Sequence, residues 1–307
     1  MSLSRRMVSN RLVLELIGTT AVLAVSGIAS ASMIPANAIA TTTSSNWAGY
    51  ADVATTASES FSNVSGEWTV PTVTGSSFGS GSYSAFWVGL DGYSSSTVEQ
   101  IGIGADVIGG RAEYYAWYEM YPSGAYEIPL NIAAGNAISA SVSYVGNNQY
   151  DLFIDDLSTH KSYSTVQVSA AGQRFSAEWI AEAPSNSNGV LPLANFGTVT
   201  FSNAAATLDG TTGTISSFSA VAINLVSSSG LKATTSALNS AGTSFSVSTS
   251  SPVTTRSPFP WRRGRRGWGW RGTSDPVGGA SPVPEPSTLA LFSLPGLMLV
   301  YRRARKV

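Results

Sequence analysis

Apolar and polar residues alternate along the middle of the chain in short runs that are typical of half-buried β-strands. Between residues 137 and 145, apolar or aromatic side chains stand at positions 138, 140, 142 and 144, and serines separate them. This period of two places one set on a buried face and the other toward solvent. Gly146, Asn147 and Asn148 then supply the turn of a hairpin into a second strand at 150–154.

Similar short runs recur throughout residues 41–253, and clusters of Gly, Asn and Ser separate them. They lie at 85–90, 165–168, 198–201 and 220–226. No long apolar stripe with the helical period of 3.6 occurs in this sequence range. Many short strands with turn signals predict an all-β fold, which is an antiparallel β-sandwich or a barrel.

One stretch, residues 113–122, carries more aromatic and acidic residues than a structural strand needs. Its odd positions share one strand face, which contains Trp117, Glu119, Tyr121 and two further residues. That face is too polar for a core and too aromatic for plain solvent. It therefore indicates a surface that holds a polymer.

The charge of the chain is unevenly distributed. Residues 41–253 contain four basic and fifteen acidic residues, a net charge of −11, whereas the whole chain carries only −1. So acidic a body argues against nucleic-acid binding. The chain has no cysteine, which excludes disulfides and thiol nucleophiles, and its single histidine, His160, lies in a polar segment that reads as an exposed hairpin tip. No metal site and no cofactor are predicted.

Residues 1–40 have the features of a secretory signal peptide. Arg5, Arg6 and Arg11 precede an apolar run, and small residues follow up to Ala40, after which we expect cleavage. A retained membrane anchor is the alternative.

Residues 254–282 combine six arginines and three tryptophans with glycine and proline. Such a composition builds no core and predicts a linker. It is a solvated basic spacer or, alternatively, a contact with nucleic acid or an anionic polymer.

Residues 283–307 form a tripartite tail. Pro284-Glu-Pro286 is followed by an apolar run from Leu289 to Tyr301 and then by a basic end. The run is short for a spanning helix, which needs about 20 residues. The tail resembles the PEP-CTERM sorting signal of Gram-negative bacteria. The resemblance implies transient anchoring in the membrane, processing by an exosortase, and release to the bacterial surface or extracellular matrix.

Five short blocks stand in a fixed order along the body: Asn46-Trp-Ala-Gly49, Trp87-Val-Gly-Leu-Asp-Gly92, Glu99-Gln-Ile-Gly102, Ala116-Trp-Tyr-Glu-Met-Tyr-Pro122 and Ala177-Glu-Trp-Ile-Ala-Glu182. These ordered blocks resemble those of the glutamic peptidases of family G1, the eqolisins. The resemblance implies a concanavalin A-like sandwich of two large antiparallel sheets. It also implies a catalytic dyad, which falls on Gln100 and Glu182.

The chemistry of the dyad is coherent. A carboxylate at position 182 can deprotonate a water and return the proton to the leaving amine. The amide of Gln100 can donate to the developing oxyanion. Around the dyad we expect Trp117 and Tyr121 as substrate walls and Glu119 as a hydrogen-bonding support.

Three further residues belong to the ordered blocks. Trp87 and Asp91 are candidates for substrate binding, although Asp91-Gly92 could simply form a turn. Glu178 shares a strand face with Glu182 and would either raise its pKa by like-charge proximity or point to solvent.

The sequence therefore predicts a secreted, monomeric, acid-acting endopeptidase with protein or peptide substrates. One alternative is a non-catalytic, lectin-like sandwich in which Trp117 and Tyr121 stack on sugars. Another is a glycosidase that uses Glu119 and Glu182 as its carboxylate pair; a separation of about 5.5 Å would be typical of the retaining type.

Overall fold

The computed structural model describes residues 39–75 and 81–250, and the structure in these ranges consists almost entirely of strands. The strands are β1 (Ala40–Ser44), β2 (Trp47–Val53), β3 (Phe61–Thr69), β4 (Ala85–Leu90), β5 (Val98–Ile108), β6 (Arg111–Tyr121), β7 (Tyr126–Ile128), β8 (Ala137–Gly146), β9 (Gln149–Asp156), β10 (Lys161–Val168), β11 (Ser176–Glu182), β12 (Ser185–Asn186), β13 (Gly189–Val190), β14 (Thr198–Leu208), β15 (Thr211–Thr214), β16 (Ala220–Ser227), β17 (Gly230–Thr235) and β18 (Phe245–Thr249). A single 3-10 turn, Ile215–Ser217, interrupts them.

Most of these strands belong to one continuous hydrogen-bonded sheet that folds back on itself. Its order is β10-β9-β8-β3-β14-β18-β17-β16-β2-β11-β4-β5-β6-β7, and the pairs along this path are antiparallel. Strand β1 pairs with β16 in parallel. The predicted all-β, antiparallel sandwich is confirmed, with the addition that strands β16–β18 join its two layers.

The two halves of the sheet enclose the main hydrophobic core. Strands β3, β8, β9 and β14 supply one side of this core, and β2, β4, β5 and β11 supply the other. Trp179 of β11 crosses between the layers and donates its indole N–H to the carbonyl of Ser65 on β3, at 2.7 Å. Because this indole is fully buried, the bond satisfies a donor that would otherwise be costly to desolvate.

The hairpin predicted at 137–154 is confirmed as β8 and β9. Ile138, Ala140 and Val142 are buried in the core. Asn147 and Asn148 have φ values of 53° and 58°, the left-handed conformation that a tight hairpin turn requires. His160 stands, as predicted, at the exposed tip between β9 and β10, with φ of 54°.

A second apolar cluster lies on the other side of β2, β11, β4, β5 and β6, away from the main core. It contains Trp47, Trp87 and Trp117. We call this surface the site face, defined by Glu178, Ile180 and Glu182 of β11 and the side chains in register with them on the neighbouring strands. The alternation predicted for residues 113–122 is confirmed, because Trp117 belongs to the site face whereas Ala116 belongs to the main core.

The predicted linker, sorting tail and most of the predicted signal peptide lie outside the described residues. The apolar segment at 289–301 is among them. Within residues 39–75 and 81–250, no helix is long and apolar enough to cross a membrane.

Candidate active site

Strand register brings the predicted catalytic residues onto the site face from different parts of the chain. Glu182 of β11 is in register with Ala85 of β4, which faces Gly104 of β5. Two steps along the strands, Ile180, Trp87, Gly102 and Trp117 form a parallel row. A third row contains Glu178, Gly89, Gln100 and Glu119. The predicted dyad therefore lies along a diagonal of this array, with Trp87 between Glu182 and Gln100.

Glycines on β4 and β5 allow neighbouring side chains to pack directly against the sheet on the site face. A Cβ atom at Gly89 would lie 3.0 Å from the Trp87 ring and 3.1 Å from the Cβ of Gln100, tighter than almost all real contacts. A Cβ at Gly104 would lie 2.2 Å from the ring of Tyr115. Tyr115 thus lies over Gly104, and its hydroxyl donates to Asp106 at 3.0 Å.

Glu182 is fully buried, and both of its carboxyl oxygens accept hydrogen bonds. Trp87 donates its indole N–H to Oε2 at 2.7 Å, and Asn46 donates its side-chain N–H to Oε1 at 3.2 Å. Burial raises the pKa of Glu182 to about 8; the Trp87 hydrogen bond lowers that pKa, and the nearby charge of Glu119 raises it. Neither nitrogen can accept a proton in exchange, so both donors favour the carboxylate form.

Gln100 and Glu119 form a second buried pair on the same face. The Nε2 of Gln100 donates to Oε2 of Glu119 at 2.6 Å. Burial raises the pKa of Glu119 to about 8, and the Gln100 bond opposes that rise. Because Nε2 faces the acid, the amide is fixed in one orientation. Oε1 of Gln100 is buried and has no hydrogen-bond partner among the described residues, so it can accept a bond from a bound water.

The predicted aromatic residues surround these acids. Trp87 packs edge-to-face against Trp47, with ring centroids 5.1 Å apart, and both rings are buried. Trp117 is also buried, and its indole nitrogen has no partner among the described residues. Tyr121 is only partly buried and packs beside this cluster. Trp117 and Tyr121 thus both belong to the site face, and their role as substrate walls stays a prediction.

Asp91 has a different environment from the other predicted site residues. It occupies the left-handed region, with φ of 67°, at the turn after β4. Its carboxylate accepts the backbone N–H groups of Gln173, Arg174 and Phe175 at 2.6–2.8 Å. These contacts anchor the loop that leads into β11, which carries Glu182. The turn considered in the sequence is present, and it has this anchoring role.

Glu178 does not point to solvent, one of the two orientations considered from the sequence. It is fully buried, on a strand that pairs with β2 along one edge and with β4 along the other. Burial raises its pKa well above the ordinary value. The carboxylate that raises the pKa of Glu182 is Glu119, on β6. Glu178 instead lies close enough to Asp91 and Glu99 for their charges to raise its own pKa.

Sequence reasoning missed the contact between Asn46 and Glu182. The two residues are 136 positions apart, and only the three-dimensional pairing of β2 with β11 brings them together. The one available signal was that Asn46 opens the first of the five ordered blocks.

Comparison with known proteins decides the family. The profile described as the Peptidase A4 family matches residues 45–249, which include every residue of the site. The chain belongs to the Peptidase A4 family. It is accordingly a hydrolase of the glutamic peptidase class. The resemblance that the five ordered blocks indicated is therefore confirmed.

The similar proteins are peptidases. The chain is 32% identical to aspergillopepsin-2 from Aspergillus niger over 191 residues, which is 55% of this chain and 66% of that relative. The solved scytalido-glutamic peptidase with a transition state analog inhibitor is 27% identical, covering 67% of this chain and 98% of that chain, with a TM-score of 0.58. SCP-B, an eqolisin solved with a tripeptide, is 26% identical over the same shares, with a TM-score of 0.55.

A second profile, the PEP-CTERM protein-sorting motif, matches residues 282–306. This confirms the predicted tail. The motif points to secretion and surface association in bacteria and to processing by an exosortase, while the peptidase family implies protein substrates.

Proposed function

We propose that this chain is an acid-acting endopeptidase in which Glu182 activates a water and Gln100 stabilises the oxyanion. The observation that carries the proposal is the environment of Glu182. Its carboxyl group is fully buried between two N–H donors, and it faces an array that also holds a fixed glutamine amide. A buried carboxyl that is held by donors favouring its ionised form is suited to general-base catalysis.

The reaction needs only these groups and one water. Glu182 takes a proton from the water, and the hydroxide adds to the scissile carbonyl carbon. One hydrogen of the Gln100 amide is engaged by Glu119, and the other donates to the tetrahedral oxyanion. Glu182 then returns the proton to the amide nitrogen, the C–N bond breaks, and an acid and an amine leave.

The buried acids make the folded state more stable at acidic pH, which agrees with a proposed acidic working range. Glu99, Asp106, Glu119 and Glu182 all have pKa values raised by burial, to about 7 for Asp106 and about 8 for the others. An acid whose folded pKa is raised contributes stability that is complete below its unfolded pKa. That contribution is lost as pH rises through the folded value. The fold is therefore most stable in acid.

The same burial limits activity at the lowest pH. Burial disfavours the ionised form of Glu182, whereas the hydrogen bonds from Trp87 and Asn46 favour it, and the base loses its charge as the pH falls. We therefore expect a bell-shaped activity profile. Base ionisation sets its acid limb, and loss of the fold sets its alkaline limb.

The test is hydrolysis of a denatured protein at acidic pH in the presence of pepstatin and, separately, of a chelator. We expect cleavage that neither reagent blocks, and expect Glu182→Gln to abolish it. If the wild type cuts no protein between about pH 2 and 7 but binds or cuts a glycan, the lectin-like or glycosidase alternative holds instead.

We propose the following course for the remainder of the chain. Residues 1–40 are removed on secretion, the segment at 289–301 anchors the protein transiently in the membrane, and exosortase processing releases it to the surface or matrix. The released protein works as a monomer without nucleic acid. Detergent fractionation of cells with intact and Pro284-Glu-Pro286-deleted tails, with size-exclusion chromatography of the released form, tests this course.

A further inference from the structure

The short strand β1 and the corner that follows it lie beside the proposed catalytic base. The corner consists of Ser45 and Asn46, between β1 and β2. Asn46 is 1% exposed, and Ser44, the last residue of β1, is 7% exposed. The polar side chains of Ser44 and Asn46 are thus both buried, and that of Asn46 contacts Glu182, so both require hydrogen-bond partners.

Asn46 is held in place on both its backbone and its side chain. Its carbonyl accepts the backbone N–H of Ala183, the residue after Glu182, at 2.8 Å. Its Nδ2 donates to Oε1 of Glu182 at 3.2 Å. The corner is therefore fixed to the end of β11 at the point where the carboxyl group must be placed accurately.

Ser44 fixes which end of the amide faces the acid. Its hydroxyl donates to Oδ1 of Asn46 at 3.0 Å, and the Oγ of Ser44 accepts the backbone N–H groups of Asn46 and Trp47 at 3.3 and 3.1 Å. With Oδ1 engaged by a donor, Nδ2 is the group that faces Glu182. A flipped amide would place an oxygen against a carboxylate and would leave the hydroxyl facing an N–H group.

Strand β1 in turn fixes Ser44. Ala40–Ser44 pair in parallel with β16, in a register that places Ser44 opposite Leu225. The other residues of β1 are exposed or partly exposed. The strand therefore adds little to the core, and its buried residue is the one that orients Asn46.

We propose that Asn46, oriented by Ser44, is a positioning residue that holds the Glu182 carboxylate and lowers the pH at which Glu182 becomes an active base. This inference rests on the proposed function, since it needs Glu182 as the base. It adds a role for the amino-terminal strand, which acts through Glu182 and does not touch the substrate.

The test compares the pH dependence of kcat/KM in the wild type and in Asn46→Ala. Loss of a hydrogen bond to a charged group destabilises the carboxylate, so the acid limb moves to higher pH by about one to two units. Below the limb, kcat/KM falls by about tenfold to a hundredfold; above it, kcat/KM stays near the wild-type value. A purely structural role would lower kcat/KM at every pH without moving the limb.

Three further variants keep the test decisive. Asn46→Asp preserves shape but faces Glu182 with a second acid, so it moves the limb at least as far as Asn46→Ala. Ser44→Ala retains the amide and moves the limb in the same direction by less, which gives a readout if the Asn46 variants fail to fold. Thr43→Ala, an exposed neighbour on β1, leaves the profile unchanged.

Parallel measurement of Glu182→Gln separates the two proposals. If Glu182→Gln remains active, the proposed function fails, and this inference fails with it. If Glu182→Gln is inactive but Asn46→Asp and Ser44→Ala both keep the wild-type limb, the base assignment stands and the role of Asn46 is refuted.

Discussion

Two groups of buried acids lie on or beside the same five strands, and their partners differ. Glu182 and Glu119 receive hydrogen bonds from side chains: an indole and an amide in one case, a glutamine in the other. Asp91, beside Glu99 and Glu178, receives three backbone N–H groups from one loop. Neither oxygen of Glu99 or Glu178 makes a well-formed hydrogen bond within the described ranges.

This difference separates the acids that we propose for catalysis from the acids that stabilise the fold. A side-chain donor can favour a charge on a group without fixing the chain around it, which is what a base that gains and loses a proton requires. Backbone donors tie a carboxylate to the path of the chain. The contacts of Asp91 therefore fix the loop that precedes β11, whereas Glu182 lies at the end of β11 and carries the proposed chemistry.

The largest expected effect is the response of stability to pH. We expect the free energy of unfolding, measured by urea titration, to be highest near pH 4 and to fall as pH rises toward 8. Ionising one buried acid whose pKa is raised to about 8, such as Glu99, costs the folded state on the order of 4 kcal/mol. A domain typically has only about 5–15 kcal/mol. A stability that rises between pH 4 and 8 would contradict this account of the buried acids.

Asp91→Ala is next in size and acts on the loop group. It removes three hydrogen bonds to a charged acceptor and places alanine at a positive φ, so we expect a loss of about 4 kcal/mol in unfolding free energy. Asp91→Asn tolerates that φ and should lose about half as much. Activity of the folded fraction should be kept in both. A hundredfold loss of kcat/KM at unchanged stability would instead place Asp91 in substrate binding.

Gln100→Ala acts on the site group. We expect kcat to fall by about 10²–10³-fold, because one oxyanion donor and one water acceptor are lost. The unfolding midpoint should change little by comparison. Gln100→Glu is the matched control: it retains the shape but replaces the donor with an acid facing Glu119, so it should be no more active than Gln100→Ala. Full activity in either variant would remove Gln100 from the mechanism.

Trp87→Phe has the smallest expected effect. A smaller phenyl ring replaces the indole that packs on Trp47, and the donor to Glu182 at 2.7 Å is lost. The pKa of Glu182 should rise, so the acid limb of kcat/KM should move to higher pH by about one to two units. The shift should be at least as large as in Asn46→Ala, whose bond is longer at 3.2 Å. An unmoved limb would show that the indole does not tune the base.

The strands could be predicted from the sequence because apolar and polar residues alternate along them with a period of two. The serines between Ile138 and Tyr144, and the turn at Gly146 to Asn148, define β8 and β9 without any tertiary information. The strand at Ala85–Leu90 was likewise predicted with its observed bounds. The joining of the two layers through β16–β18 was not predicted, because local patterns do not specify which strands become neighbours.

The site was predictable only where one segment carries its own signal. Gln100 and Glu182 emerged from ordered blocks, and the two faces of 113–122 emerged from alternation. The partners of Glu182 and Asp91 did not, because they are 82 to 136 positions away in the chain. The burial of Glu178 was missed for a related reason: a strand sequence does not show what packs over each of its faces.

The central claim is that catalysis depends on Glu182, whereas Glu178 on the same strand contributes only to the fold. Glu182→Gln and Glu178→Gln test it directly, since both make the same change to a fully buried residue of β11. Peptide hydrolysis at pH 4 and urea unfolding at pH 4 and 7 should be measured for both variants.

We expect Glu182→Gln to lose at least a hundredfold in kcat while remaining folded. We expect Glu178→Gln to keep its activity at pH 4 and to be more stable than the wild type at pH 7, because a neutral amide no longer ionises there. An active Glu182→Gln, or equal loss of activity in both variants, would contradict the account.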